Sequence, residues 1–140
     1  MRELYDLLIN RLTSDAALVA AVGNRIGYRR GEVKTFPTVV IDFITNPVSD
    51  ITMSCIEYKT IVQFTVFVEN FYPGTAWDIM ELVKRNVSYE AGKIHLQDAN
   101  IRVDRIFPGS ESETRLQKTD INGSGLWQVT SDYRFEYTKL

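Results

Sequence analysis

Gly125-Leu126-Trp127-Gln128-Val129-Thr130-Ser131-Asp132-Tyr133-Arg134-Phe135-Glu136-Tyr137 is the stretch that decides the fold of this chain. Trp127, Val129, Tyr133, Phe135 and Tyr137 share one face of an extended backbone; Gln128, Thr130, Asp132, Arg134 and Glu136 share the other. Alternation with a period of about 2, held for roughly a dozen residues, marks an antiparallel strand with one buried and one wet face. Because it stops just short of Leu140, the strand is expected to tie the C-terminal segment into a sheet.

Other stretches supply partners for it. Ile56, Tyr58, Thr60, Val62, Phe64, Val66 and Val68 alternate with Glu57, Lys59, Gln63, Thr65 and Glu69 in a second long strand. Ile61 and Phe67 interrupt its polar side, which reads as a patch that a neighbour covers. Phe36-Pro37 opens a third strand over Thr38-Val39-Val40-Ile41-Asp42-Phe43-Ile44-Thr45, because proline is tolerated where a strand begins. Asn46-Pro47 ends it, leaving residues 46–55 as a loop or hairpin arm. In a fourth strand Ile101, Val103, Arg105 and Phe107 alternate with Arg102, Asp104 and Ile106, and Pro108-Gly109 stops it. From there to Gly125 the chain is polar and aperiodic, which predicts a long loop of the kind that orders on binding.

The helices are read from a different spacing. Leu4, Leu7, Leu8 and Leu12 build one apolar stripe. Thr13-Ser14-Asp15 supplies an N-cap for a second helix over 16–22, which Gly23 closes; one bent helix and two short ones both fit. After the turn Phe71-Tyr72-Pro73-Gly74, Thr75 caps a helix whose core face is Ala76, Ile79, Met80, Val83 and Val87. Residues 24–35 read as a basic connector and 88–99 as polar loop. The order αα–β–β–α–β–β predicts an α+β fold: a mostly antiparallel sheet of four or more strands with helices packed on one face. A length of 140 residues without repeat or linker suits a single domain, 1–140.

Composition narrows the function. A hydrophobic content of 44% and a charged content of 24% suit a globular domain. The formal charge of −2 argues against a dedicated nucleic-acid binder and against attachment to anionic membranes. Cys55 is the single cysteine, so an internal disulfide is excluded and a reducing compartment expected. No segment reads as a signal peptide or membrane span, which makes Asn86-Val87-Ser88 a chance sequon in a chain made in cytoplasm.

Catalytic chemistry finds little to stand on. His95 has only Gln97 and Asp98 near it, which are no ligand set, and Cys55 lacks a histidine neighbourhood. Ala91-Gly92-Lys93-Ile94 lacks the first glycine and the hydroxyl residue of a phosphate loop. Glu111 and Glu113 sit in a polar stretch without an apolar pocket, and Gly123-Ser124-Gly125 is turn chemistry. No catalytic residue, metal or cofactor is expected. Arg29 and Arg30 read either as solvated connector residues or as contacts to partner carboxylates or DNA phosphates. Trp127 starts a strand on its apolar face and reads as core, whereas Trp77 lies off its helix's core stripe and reads as an interface anchor.

Several of these features together resemble the tail terminator and tail-completion proteins of long-tailed bacteriophages. They are the leucine-spaced first helix, then Asp15-Ala16-Ala17-Leu18-Val19-Ala20-Ala21-Val22-Gly23-Asn24-Arg25-Ile26, then Phe36-Pro37-Thr38-Val39-Val40-Ile41, and the closing Gly125-Leu126-Trp127 strand ending near Tyr137. The resemblance runs across essentially the whole chain. It implies a structural protein that forms a hexameric ring with copies of itself on the head-proximal end of the tail tube. Such a ring stops tube growth and offers its other face to the head-tail connector or stopper protein. It further implies a location in the virion, and DNA met only in transit through the channel. A head-completion or stopper protein of the same connector is the alternative, and a small ligand-binding domain the more distant one. Arg29, Arg30, Trp77, Glu113, Arg115 and Lys118 are the residues expected to make subunit or partner contacts.

Overall fold

The computed structural model describes residues 2–27, 37–45, 48–51, 56–69, 74–87, 96–116 and 126–140. Two helices come first, α1 (Arg2–Thr13) and α2 (Ala16–Val22), followed by a short strand β1 (Ile26–Gly27). Then come β2 (Thr38–Phe43), β3 (Val48–Ile51), β4 (Ile56–Glu69), α3 (Gly74–Val87), β5 (Ile101–Leu116) and β6 (Leu126–Lys139). The sheet is ordered β1-β2-β4-β6-β5, with β3 pairing the far part of β4. Every pairing is antiparallel except β1 with β2.

This is the expected α+β architecture, with the C-terminal strand inside the sheet between β4 and the edge strand β5. β6 pairs β4 along Glu57–Glu69 and β5 along Ile101–Leu116. Its odd-numbered aromatics, Tyr133, Phe135 and Tyr137, are buried, as are Val62, Phe64, Val66 and Val68 of β4 and Val39 and Ile41 of β2. The leucines of α1, Leu18 and Val22 of α2, and Ala76, Ile79, Met80, Val83 and Val87 of α3 close the same core from one side. Phe64 meets Tyr133 and Phe135 edge-on, with centroids 6.0 and 6.5 Å away. Tyr137 stacks on Tyr58 at 5.4 Å, and burial pushes its phenol up to about 12. Among the described residues no helix is long and apolar enough to cross a membrane.

Three sequence expectations change, and one open choice closes: of the two readings of residues 46–55, residues 48–51 take the hairpin arm, pairing with β4. The connector after Gly23 holds a strand: β1 lies parallel to β2, with Ile26 opposite Val39. Leu96 is buried, Gln97 bridges to Arg102, and Asp98 accepts from the Asn100 and Ile101 N–H groups, so the end of the 88–99 segment is ordered. Most consequentially, Pro108-Gly109 does not stop β5, which runs on to Leu116 in register with β6. β5 is the sheet edge, where a proline's missing N–H faces no partner strand.

The first helical turn is two helices, as Asp15 dictates. Its Oδ1 accepts from the Ala17 and Leu18 N–H groups, capping α2. Its Oδ2 accepts from Arg85 at 2.7 Å and Asn86 at 2.6 Å, both on α3. Gly23 closes α2 at a positive φ of 60°. The Arg85 hydrogen bond, helped by Asn86 and the Leu18 amide, holds the Asp15 carboxyl at about 2, below its ordinary value. A carboxyl depressed on folding stabilises the fold above its unfolded value and loses that contribution as pH falls toward its folded value. Half of Arg85 is exposed, so solvent screens the pair. Asp15→Ala is expected to cost about 2 kcal/mol at neutral pH, about half of it the cap. Urea unfolding at pH 7 and at pH 2.5 checks it: the difference from the parent shrinks at the lower pH, and an equal difference at both contradicts the assignment.

Candidate assembly surface

All three helices pack on one side, so the other side of the sheet is a surface in its own right. Rows of side chains cross it, one from each strand. The central row is Ile44, Ile61, Arg134 and Phe107: the Ile44 N–H donates to the Ile61 carbonyl at 2.9 Å, Ile61 lies opposite Arg134, and Arg134 opposite Phe107. Ile44 and Phe107 are 52% and 38% exposed, large for apolar side chains. The Arg134 guanidinium sits 4.4 Å from the centre of the Phe107 ring, a cation–π contact.

The flanking rows are polar and bonded within themselves. On one side the Gln63 amide donates to Asp132 Oδ1 and the Ser110 hydroxyl to Oδ2, each at 3.0 Å. Gly109 permits this, because a Cβ there would lie 3.1 Å from the Asp132 carbonyl oxygen. On the other side Arg105 Nε lies 2.8 Å from Glu136 Oε2, with Lys59 and Arg134 near the same carboxylate at 3.9 and 4.0 Å. Arg105 also donates to Glu57 at 3.4 Å. At the rim Asp104 accepts from Arg102 at 2.7 Å and from the Thr138 hydroxyl at 2.6 Å.

Charge on this face is stratified. The Arg105 side chain is 62% exposed above a Glu136 side chain that is 6% exposed, and Arg102, Lys59 and Arg134 likewise stand above the carboxylates they meet. Around Glu136 and Asp104 the outermost layer is therefore cationic, while Glu69 at the far end of β4 is an exposed carboxylate on the same face. Glu136 and Thr138 are buried on what the alternation predicts to be a wet face, because the long basic side chains lie over them.

The helix side differs. Glu111 faces the same side as Ser131, and Lys84 of α3 reaches it at 2.6 Å; this contact holds the Lys84 ammonium above its ordinary range. Glu113, opposite Val129, projects to the same side and is exposed, as are Asp78 and Glu81 of α3. Among the described residues no group of three or more His, Cys, Asp or Glu is placed to hold a metal ion.

The sequence-predicted contact residues are scattered. Trp77 is half-buried and packs against the core cluster, as does Trp127. Glu113 is on the helix side of β5, and Arg115 lies opposite Trp127 in the β5–β6 ladder. Arg29, Arg30 and Lys118 fall outside the described residues, as do His95 and Cys55. Simple alternation missed Phe107, grouping it with Ile101 and Val103. A register shift between Val103 and Arg105 reverses the parity, so Ile106 turns to the core and Phe107 turns out. The adjacent apolar pair Ile106-Phe107 was the available sign, since one of two neighbours must point away from the core.

No family model matches this chain, and no curated protein matches it in sequence. In fold it is similar to a chain from a solved structure described as the virion of a native gene transfer agent (GTA) particle. The TM-score is 0.70, covering 95% of this chain and 92% of that one, at 13% identity. The shared feature is the two-layer α+β architecture itself.

Proposed function

We propose that this chain is a structural subunit of a phage-like virion: a tail terminator that rings the head-proximal end of the tail tube and joins it to the head. The supporting observation is the fold correspondence with a virion chain, which leaves little of either chain unmatched. The finer assignment rests on the resemblance of the sequence and its element order to tail terminator proteins. The surface chemistry suits a subunit that works by shape, because polar side chains on the uncovered sheet face pair with one another. Its partners on this reading are further copies of itself, the tube and the connector, with DNA passing through the ring.

Purified protein mixed separately with terminator-free tails and with tail-less heads tests the proposal by co-sedimentation and electron microscopy. Binding to tails, visible as a ring at one end, is the expected result. Binding to heads alone would move the chain to the stopper position, and binding to neither would remove it from the junction.

A further inference from the structure

We infer that the uncovered sheet face of one copy docks on the acidic side of a second, where α3 and the β5 arm meet. The inference rests on the proposed self-assembling role and names the two surfaces that would carry it.

The first surface has the makings of an interface core. Ile44, Ile61 and Phe107 lie in one row with Arg134, and the rows beside them have their hydrogen bonds and ion pairs made internally. The pairs already made within these rows lower the cost of covering them, while the exposed head groups of Arg105, Arg134 and Lys59 call for acceptors on whatever docks there. Arginine held on an aromatic ring is a recurrent interface anchor. The size is adequate. Four strands about 4.8 Å apart, and a 14-residue β4 rising about 3.3 Å per residue, define on the order of 800 Å², the share one partner contributes to a standard interface.

Charge selects the occupant. Arg102, Arg105, Arg134 and Lys59 form the outer layer of this face around Glu136 and Asp104. Glu57, Asp104 and Glu136 share this face but are less exposed than the cations that meet them, Asp132 there accepts from Gln63 and Ser110, and the formal charge of the whole chain is −2. Asp78 and Glu81 of α3 and Glu113 of β5 are exposed on the helix side. Of the cations of that region, Lys84 meets both Glu111 and Glu81 and Arg85 meets Asp15, while Arg115 follows Glu113 two residues on along the same side of β5. A cation-topped face and an acidic face on opposite sides of one subunit are complementary between copies, and a head-to-tail contact of this kind closes into a ring when its rotation allows. Nucleic acid suits the cationic layer less well, because Ile44 and Ile61 interrupt it and Glu136, Glu57 and Asp104 lie directly beneath.

The full chain serves as the test, with Arg134→Glu, Asp78→Arg, the two combined, and Ile44→Asp. Sedimentation velocity across a concentration series reads association, urea unfolding confirms that each variant folds, and a DNA mobility shift reads nucleic-acid binding. Each single change is expected to weaken self-association at least tenfold, and the charge-swapped double variant to recover most of the loss. Ile44→Asp, at an exposed position, weakens association without a charge partner and guards against a folding artefact of Arg134→Glu. Association of the parent that none of the variants alters would overturn the inference and leave the self-assembling role standing. Single losses with no recovery in the double variant would overturn the acidic side as the occupant. A parent that stays monomeric at every concentration would overturn both. DNA binding abolished by Arg134→Glu, with association unchanged, would assign the face to nucleic acid.

Discussion

A chain truncated after Asp132 is expected not to fold. The deletion removes Tyr133, Phe135 and Tyr137, all buried, from the middle of the core. Each is worth about 1.5–3 kcal/mol of burial, so their joint loss is of the order of the whole stability of a domain this size, about 5–15 kcal/mol. The topology makes matters worse. β6 lies between β4 and β5, and among the described strands β5 pairs with β6, so residues 101–108 lose the strand that holds them. Far-ultraviolet circular dichroism and urea titration check this: a non-cooperative, largely unfolded chain is expected. A cooperative transition with native sheet content would mean that β6 is dispensable and that the topology is wrong.

Phe64→Ala is expected to cost about 3–5 kcal/mol, the range for deleting a fully buried aromatic ring. Phe64 is completely buried and packs edge-on against both Tyr133 and Phe135, so the vacated volume is walled by rings seated on a rigid strand and collapses poorly. The urea midpoint should fall while the slope of the transition stays as in the parent, because the surface exposed on unfolding barely changes. A loss below about 1 kcal/mol would show that the core is not centred on this ring cluster. The outcome bears on assembly too. A subunit that must present two surfaces in fixed relation needs a sheet and helix layer locked by this contact.

What could be read from the residues alone followed from how long each pattern holds. β6 and β4 keep a period of two over 14 residues each, and the helices keep theirs, so face, element type and fold class were legible. β5 was cut short because its pattern breaks twice, at the register shifts between Val103 and Arg105 and between Pro108 and Glu111. Each shift inserts a residue and reverses which side faces the core, so a correct strand reads as a strand followed by a loop. β1 is two residues long and carries no periodicity to detect.

The assembly surface was harder for a related reason. Ile61 was visible as an intruder on a polar face, but Ile44, Arg134 and Phe107 are separated from it by up to 73 positions and meet only through strand register. The stratification of charge was hidden in the same way. Composition reports −2 for the whole chain, whereas the sheet face presents its cations outermost around Glu136 and Asp104, and Asp78, Glu81 and Glu113 are exposed on the helix side. Glu113, named from the sequence as a contact residue, is exposed, and the side to which it points depends on a bulge three residues earlier.

Particles assembled without this chain test the central claim most directly. Electron micrographs of a lysate in which its gene carries an early stop codon, with the full chain supplied from a plasmid as the control, give the reading. The account predicts tails of irregular, often excessive length, separated from filled heads, and restoration of joined particles by the plasmid. Complete particles with tails of uniform length in the absence of the chain would contradict it.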